Sequence, residues 1–451
     1  MCYKHLIRFF RSNKIITVLF LITLVIWLWQ RSTGASWDFA VYSLNAEYIF
    51  GGGNYLQPMV PPLAYLLMFP IFLGKAVGEF FFVIITSIIF LYSVIKLADT
   101  YSLNRTALYI FSLTPFSIAY AFSNGTELLS LSLLYLLVSF IYTKKPGIFA
   151  GLLLLARYSN ITLLPILLFQ KNIKRILLSL AFLIVILSIF FVFSWGIFGD
   201  PFTSITDFYA LNVKYRDYIH QPLNPLDVLI GFNFTLPFLI LGLYVAVKKR
   251  LNRIDIMMIV IIIITIVAYW RVPIKDPRYL YHLILPAAYF ASYSLKKIKF
   301  KHTILVFLAI TLVTLAFMVP AMRLADPTIY KEIAAKVNCA TKSNIWVSLS
   351  YYGLPSVPSP RGSQLQKSIE DGYRIVIANG FEGDITDPEI LKSIPIIENN
   401  TYYKIIGDKS KCKPIGKADY RYLRGLNEYL NSTYNYTVPT DIFTVVFGKQ
   451  A

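Results

Sequence analysis

Residues 174–196 read KRILLSLAFLIVILSIFFVFSWG, two basic residues followed by an apolar run without a further charge. A helix needs about twenty such residues to cross a bilayer, so this run predicts a transmembrane helix. Similar runs occur near residues 15–30, 77–98, 107–122, 127–142, 228–247, 254–271, 279–295 and 303–320. Of the 451 residues, 56% are hydrophobic and 15% charged, which excludes a soluble globular enzyme and indicates a polytopic α-helical membrane protein.

Two apolar stretches do not fit a full span. Residues 61–73 are short and open with Pro61-Pro62, which predicts a helix lying in the membrane interface or dipping into it. Residues 147–169 are long enough for one span, but Arg157 would then lie at mid-bilayer, where a charge is costly. We therefore predict a half-length hairpin with Arg157 at its tip, and about 11 transmembrane helices in all.

The charged residues indicate a topology and two domains. From Arg323 onwards the chain carries 16 basic and 13 acidic residues, leaving 27 of the 43 basic and 11 of the 24 acidic ones to the apolar part. With a cytoplasmic N-terminus and the hairpin, 19 of those 27 basic residues lie on the inner side, as the positive-inside rule requires. Nine of the 11 acidic residues then lie outside, which makes the outer face the candidate site. The positive net charge is thus explained by inner loops rather than by nucleic acid.

The predicted domains are a transmembrane domain, residues 1–320 with a first outer loop at 31–76, and an extracytoplasmic soluble α/β domain, residues 321–451. Sequence patterns in the second domain predict helices at 328–336 and 364–371 and strands at 345–349, 374–378 and 440–447. Cys339 and Cys412 either form a disulfide, which an extracytoplasmic location permits, or stay free. Asn-x-Ser/Thr acceptor sequences begin at Asn399, Asn431 and Asn435.

Asp38 in the first outer loop is the leading catalytic candidate. It follows almost directly on a helix exit, and Tyr42 shares its face if a short helix follows. A carboxylate at the headgroup region can act as a general base, although an Asp opening a helix is also commonly an N-cap. Gly51-Gly52-Gly53 is interpreted as a turn, because it lacks the Lys and Ser/Thr of a phosphate loop.

The order of features over most of residues 15–295 resembles the lipid-phosphate-sugar-dependent membrane glycosyltransferases of fold class C (GT-C). That class includes the protein O-mannosyltransferases and the lipid A aminoarabinose transferase. The matching pieces are Trp37-Asp38 to Tyr42, Gly51 to Tyr55, Pro61-Pro62-Leu63, Pro115 to Ser123 with Glu127, Gly151 to Tyr158, and Arg278-Tyr279 up to Pro286.

The resemblance implies that Asp38 is the general base and that donor and acceptor meet in an outer cavity. This sequence has Phe39 where the commoner pattern has a second acidic residue, so Glu47 or Glu127 is left to supply a second carboxylate. The resemblance, together with the lack of a His/Cys cluster in the sequence, predicts no firmly bound metal. Whether a divalent ion is required stays open.

Four basic residues are predicted to bind the donor phosphate, because cations at the interface, and planar guanidinium groups above all, suit phosphate oxygens. They are Arg157, Arg271, Lys275 and Arg278. Basic residues at helix ends also snorkel to lipid headgroups, which is the alternative for each of them.

The remaining cavity candidates are the acids Glu47 and Glu127 and the rings of Tyr42, Tyr158, Tyr279 and His220. Glu127 can equally be a paired structural carboxylate, and His220 a solvated loop residue. His282 lies four residues after Arg278, and we predict that it contacts residues of the site rather than the substrate.

These features predict an integral-membrane glycosyltransferase that transfers a sugar, with mannose as first candidate, from a dolichyl- or other polyprenyl-phosphate to a protein, lipid or glycan acceptor, with inversion. Richness in Ile, Lys and Tyr is typical of a thermophilic or archaeal protein. The main alternative is a transporter or lipid flippase, which would place charges at the midplane between internal repeats. An oligosaccharyltransferase would carry a Trp-Trp-Asp sequence in the tail, and a non-catalytic scaffold is the third alternative.

Overall fold

The computed structural model describes residues 13–214, 221–294, 300–322, 327–359, 363–379 and 394–416. His220, the acceptor sequences at Asn431 and Asn435 and the predicted strand 440–447 lie outside these residues.

Fifteen α-helices build the membrane part of the described chain. They are α1 Lys14–Ser32, α2 Trp37–Phe50, α3 Pro62–Leu67, α4 Lys75–Thr100, α5 Arg105–Ser112, α6 Pro115–Tyr120, α7 Glu127–Ser139, α8 Pro146–Ala156, α9 Ile173–Phe198, α10 Thr203–Tyr209, α11 Pro225–Phe232, α12 Leu236–Lys248, α13 Arg253–Arg271, α14 Ile284–Ser294 and α15 Phe300–Met322. Short 3₁₀ segments occupy Phe69–Leu73, Tyr158–Phe169, Asn233–Thr235 and Pro277–Leu283, and a π-turn occupies Ala210–Lys214.

Five stretches of the described chain are long and apolar enough to cross a membrane: α1, α4, α9, the joined segment Pro225–Lys248, and α13. Their lipid-facing side chains stay exposed, as expected for helices solvated by a bilayer. The shorter apolar helices pack among them, and α7 is buried along its whole length. The polytopic helical fold predicted from the sequence is thus confirmed.

The predicted span at 107–122 is two helices rather than one. Helix α5 ends at Ser112, and α6 begins at Pro115, which lacks the N–H that would continue the helix. Thr114 before it is extended (ψ 159°) and its side chain accepts a hydrogen bond from Ser117 N at 3.0 Å. A proline restricts the residue before it to extended conformations, so the break at Thr114 follows from local chemistry.

The predicted hairpin at 147–169 is confirmed. Helix α8 stops at Ala156, Arg157 is extended (φ −155°, ψ 121°), and the chain returns as the 3₁₀ segment Tyr158–Phe169. Both arms end beside Ser179 of α9. Gln170 Nε2 donates to the Ser179 hydroxyl at 2.9 Å, and a Cβ on Gly147 would lie 1.9 Å from the Ser179 carbonyl oxygen. Only glycine permits this approach, so a side chain at 147 would push the hairpin away from α9.

The tail domain is α/β, as predicted. Its elements are α16 Pro327–Lys336, β1 Thr341–Ser343, α17 Trp346–Tyr351, β2 Ser356–Pro358, α18 Ser363–Glu370, β3 Arg374–Ala378, β4 Ile396–Asn399 and β5 Tyr403–Ile406. The sheet has the order β2-β1-β3-β5-β4. Strand β1 pairs in parallel with β2 and β3, whereas β5 pairs antiparallel with β3 and β4.

The strand predicted at 345–349 is wrong, because this segment is helix α17. Ser343 ends β1 and its hydroxyl accepts a hydrogen bond from Ile345 N at 3.0 Å, which turns the chain. Trp346 and Val347 then pack against α2 of the membrane domain, while Leu349 packs into the tail core. The apolar residues of α17 therefore pack against both α2 and the tail core, on two sides of one helix. A short apolar run in the sequence does not distinguish such a helix from a strand.

Cys339 and Cys412 form a disulfide that closes a loop of 73 residues, so the first of the two alternatives holds. A cross-link of this loop length restricts the unfolded chain, and native disulfides of this kind contribute about 2–5 kcal/mol. We expect the Cys339→Ser/Cys412→Ser variant to lose about this free energy of unfolding in the tail. The measurement is thermal unfolding of the full-length protein in detergent. Cys2→Ser, the remaining cysteine, is the control, and equal stability of the two variants would contradict the expectation.

Candidate active site

Asp38 lies in the first turn of α2, on the side of the helix that faces the membrane bundle. The N-cap of α2 is Ser36, whose hydroxyl accepts a hydrogen bond from Phe39 N, so Asp38 is not needed as a cap. Its Oδ2 lies 2.5 Å from Nη1 of Arg278, and its side chain is 41% exposed against 17% for Arg278. The carboxylate is therefore the accessible end of a partly buried ion pair.

Arg278 has a second carboxylate partner in Asp276. Asp276 Oδ2 lies 3.1 Å from Arg278 Nε, and its other oxygen accepts from Arg278 N at 3.0 Å, which caps the segment Pro277–Leu283. Burial by itself lowers the pKa of Arg278, but the charges of Asp38 and Glu127 outweigh it and raise the pKa above its ordinary value. The guanidinium is permanently charged and keeps a partner even when Asp38 turns away.

A second ion pair, Arg157 with Glu127, lies beside the first. Arg157 Nη1 lies 2.6 Å from Glu127 Oε1, and Glu127 is 2% exposed. The other Glu127 oxygen accepts from Thr126 N at 3.1 Å. The guanidinium carbons of Arg157 and Arg278 lie 5.7 and 5.2 Å from the centre of the Tyr279 ring. Both cations thus border one aromatic ring, and each is balanced by at least one carboxylate.

Tyr42 lies one turn after Asp38 and contacts the same cluster. Burial, followed by the negative charge of Asp38, raises the pKa of its hydroxyl well above the ordinary value. The ring packs against Gly125, whose φ of 113° favours glycine and whose Cβ would lie 2.9 Å from the ring. Tyr42 is therefore a neutral hydroxyl fixed between Asp38 and the Arg157–Glu127 pair.

A cleft opens beside these residues between α13, the second arm of the hairpin and the segment Pro277–Leu283. Its empty space is about 450 Å³ with the mouth included, and its lining contains Arg157, Asn160, Thr265, Arg278, Tyr279 and His282. The charges of Arg157 and Arg278 belong to the two ion pairs, while Asn160, Thr265 and His282 are neutral polar groups. The cleft therefore combines cations suited to an anion with groups suited to hydroxyls.

Four of the residues proposed from the sequence lie outside this cluster. Arg271 ends α13 with its guanidinium 5.4 Å from the Trp270 ring. The Lys275 ammonium donates to the carbonyls of Tyr269 and Trp270 at the end of α13 and to that of Val272, which directly follows the helix. The Tyr158 hydroxyl pairs with Ser204 at 2.6 Å. Glu47 pairs with Lys75 at 3.3 Å, about 13 Å along α2 from Asp38.

A separate charged cluster joins the membrane domain to the tail. Arg31 Nε lies 3.1 Å from Glu79 Oε2, with side-chain exposures of 2% and 6%. The Tyr351 hydroxyl donates to Glu79 at 2.7 Å and accepts from Arg31 at 3.0 Å, and Ser43 donates to Glu79 at 2.6 Å. Beside it the rings of Trp37 and Trp346 meet edge to face at 4.3 Å. The helix that carries Asp38 is thus packed between bundle and tail.

Sequence reasoning gave no site role to Asp276, Ser130 or Asn160. Asp276 could have been found from Asp-Pro-Arg-Tyr, in which the carboxylate two residues before Arg278 can cap the turn. Ser130 and Asn160 carry no comparable signal, because the fold alone brings α7 to the hairpin. Among the described residues, no three His, Cys, Asp or Glu side chains lie where they could hold a metal ion together. The expected absence of a metal stays a prediction.

Two solved structures share the architecture. ArnT from Cupriavidus metallidurans bound to undecaprenyl phosphate matches with a TM-score of 0.57 and 11% identity, over 88% of this chain and 99% of that one. The apo state of the same protein matches with a TM-score of 0.56 and 11% identity, over 88% and 98%. The sequence matches no protein-family model and no curated protein. At this identity the likeness establishes the fold alone: the chain has an ArnT-like architecture, as the resemblance implied.

Proposed function

We propose that this protein is an integral-membrane glycosyltransferase that takes a sugar from a polyprenyl-phosphate donor and gives it to an acceptor hydroxyl. The observation that carries the proposal is the accessible Asp38 carboxylate, which lies on the same guanidinium, Arg278, that borders the polar cleft. The GT-C fold and the undecaprenyl phosphate bound to ArnT support the class of donor.

Asp38 is proposed as the general base. It would take the proton of the acceptor hydroxyl as the hydroxyl oxygen forms its bond to the anomeric carbon. The bond between that carbon and the phosphate oxygen breaks, and the polyprenyl phosphate leaves with the electron pair. One displacement of this kind inverts the anomeric configuration. When Asp38 moves away from Arg278, the charge of Arg278 is still balanced, because Asp276 remains paired with the guanidinium.

Arg157 and Arg278 are proposed to hold the phosphate. Their guanidinium groups lie beside Tyr279 in the lining of the cleft, and charge-assisted bonds from arginine to phosphate oxygens are among the strongest that proteins make. Glu127 and Asp276 would fix the two guanidinium groups in place, so the charge that develops on the leaving phosphate meets donors that need no rearrangement.

The orientation is part of the proposal: a cytoplasmic N-terminus, with the active site and the tail domain on the extracytoplasmic side. The disulfide between Cys339 and Cys412 supports it, since such bonds persist in oxidising surroundings. The charged contacts between Arg31, Glu79 and Tyr351 also agree, because they bring the tail to residues that the charge distribution assigns to the outer face.

Replacing Arg278 by Gln should weaken binding of sugar-free polyprenyl phosphate by about 10- to 100-fold, the usual effect of losing a charged hydrogen bond. The affinity can be measured with a short-chain lipid and purified protein in detergent. Arg271→Gln is the matched control, because Arg271 ends α13 outside the cluster and should change the affinity less than about threefold. Equal losses in the two variants would contradict the assignment of Arg278 to the phosphate.

A further inference from the structure

The part of the cleft that is lined by Thr265 and His282, here called the inner cleft, is polar and carries no charged side chain of its own. Thr265 of α13 is 4% exposed and lines the cleft. Its hydroxyl has no hydrogen-bond partner among the residues that the structure describes. A buried hydroxyl without a partner costs about 1–3 kcal/mol, and a helical threonine can usually avoid this by bonding to its own helix. An unsatisfied group in this position points to a ligand or water that fills the cleft.

His282, which is half-buried, presents a second polar group to the cleft, and its hydrogen bond with Ser130 bears on where its proton lies. Asn160 Nδ2 donates to the Leu153 carbonyl and to Ser130 Oγ, both at 2.8 Å, so this side-chain amide can have only one orientation. Ser130 Oγ lies 2.8 Å from His282 Nε2. Asn160 donates to Ser130, so the hydroxyl proton of Ser130 has Nε2 as its acceptor in this cluster. With that bond, His282 is the neutral tautomer with its proton on Nδ1.

The Nδ1–H of His282 has no hydrogen-bond partner in the described part of the chain, and the imidazole lines the cleft together with Thr265. His282 follows Arg278 by four residues on the 3₁₀ segment Pro277–Leu283, a rise of about 8 Å. The lining of the cleft thus combines two guanidinium groups with an N–H donor and a buried, unpaired hydroxyl. This set of groups matches a phosphate joined to a compact polyhydroxylated ring.

We propose that the inner cleft is the subsite for the donor's sugar, in which His282 Nδ1–H and the Thr265 hydroxyl bind sugar hydroxyls. The inference rests on the proposed function and adds to it the residues that select the sugar. His282 and Thr265 position the ring so that its anomeric carbon lies near Asp38. A site built to hydrogen-bond a hydroxyl rejects an analogue that lacks it, because its own polar group is then left unpaired.

The test compares the accepted polyprenyl-phosphate sugar with its monodeoxy analogues, using full-length protein in detergent. For the wild type we expect one deoxy position to lower kcat/KM by about tenfold, the size of one hydrogen bond. His282→Phe should lower kcat/KM for the parent donor by a similar factor. The two losses should not add when the variant meets the deoxy donor, since both remove the same bond. His282→Asn, which keeps an N–H near the Nδ1 position, should recover part of the activity.

Thr265→Val provides a second measurement in case His282→Phe fails to fold. This variant should no longer distinguish the parent donor from the analogue that lacks a second sugar hydroxyl. Its binding of sugar-free polyprenyl phosphate should be unchanged. Thr311→Val is the matched control, because the Thr311 hydroxyl is also buried and without a partner among the described residues, but lies on α15 away from the cleft. If the loss of kcat/KM in each of the two site variants adds to the loss from every deoxy position, the sugar subsite is wrong, while the proposed function stands. Failure of the folded wild type to bind any donor would overturn the proposed function as well.

Discussion

Replacing Asp38 by Asn should lower kcat for sugar transfer by about 10²- to 10⁴-fold, the usual contribution of a general base. The amide has nearly the same shape and can still accept a hydrogen bond from Arg278, but it cannot take the acceptor's proton. Binding of polyprenyl phosphate and thermal stability should change little, since Asp38 is the exposed partner and Arg278 keeps Asp276. The measurement is steady-state transfer with purified wild-type and variant proteins.

Asp276→Asn is the matched control for this prediction, because Asp276 binds the same guanidinium. It should affect kcat/KM through the position of Arg278, by about tenfold or less. Transfer by Asp38→Asn at the wild-type rate, or equal loss of kcat in both variants, would remove Asp38 from its role as base.

Replacing Glu79 by Gln should lower the free energy of unfolding by about 3–5 kcal/mol, the range for breaking a buried ion pair by removing one partner. The amide oxygen can still accept from Ser43 and Tyr351, so the main loss is the charge that balances Arg31. An uncompensated guanidinium that is only 2% exposed is costly wherever it lies. Thermal unfolding in detergent, with proteolysis of the tail as a second readout, measures the effect.

The control for Glu79 is Asp99→Asn, which breaks the ion pair with Arg105. Both partners of that pair are more than 40% exposed, so the cost should not exceed about 1 kcal/mol. Equal stability of the two variants would show that the Arg31–Glu79 pair does not hold the tail against the membrane domain.

The fold could be predicted from the sequence wherever one local cause dominates. Arg157 within an apolar run is too costly at mid-bilayer, and this alone predicted the hairpin. The length and apolar content of residues 107–122 predict one span, although Pro115 within this run marks the break at Thr114. Helix α17 could not be predicted, since its conformation depends on packing against α2, which is about 300 residues away in sequence.

Part of the candidate site could also be anticipated. Asp38, Tyr42, Glu127, Arg157, Arg278 and Tyr279 were proposed separately, and the structure brings them together. Their pairing could not be predicted, because Asp38 and Arg278 are 240 residues apart. Charge and a position at the outer face near bilayer depth predict Arg271 and Lys275 as phosphate ligands. In the structure Lys275 binds carbonyls at the C-terminus of α13, and Arg271 lies beside the exposed indole of Trp270. Both contacts are common for basic residues at helix ends.

The most direct test of the proposed function is transfer of radiolabelled sugar by the purified full-length protein in detergent, from a panel of short-chain polyprenyl-phosphate sugars. We expect at least one donor to release polyprenyl phosphate while its sugar appears, inverted, in an acceptor or in water. Two results together would contradict the proposed glycosyltransferase activity and identify a transporter. The folded protein would bind no donor in the panel, and vesicles that contain the protein would move polyprenyl phosphate across their membrane.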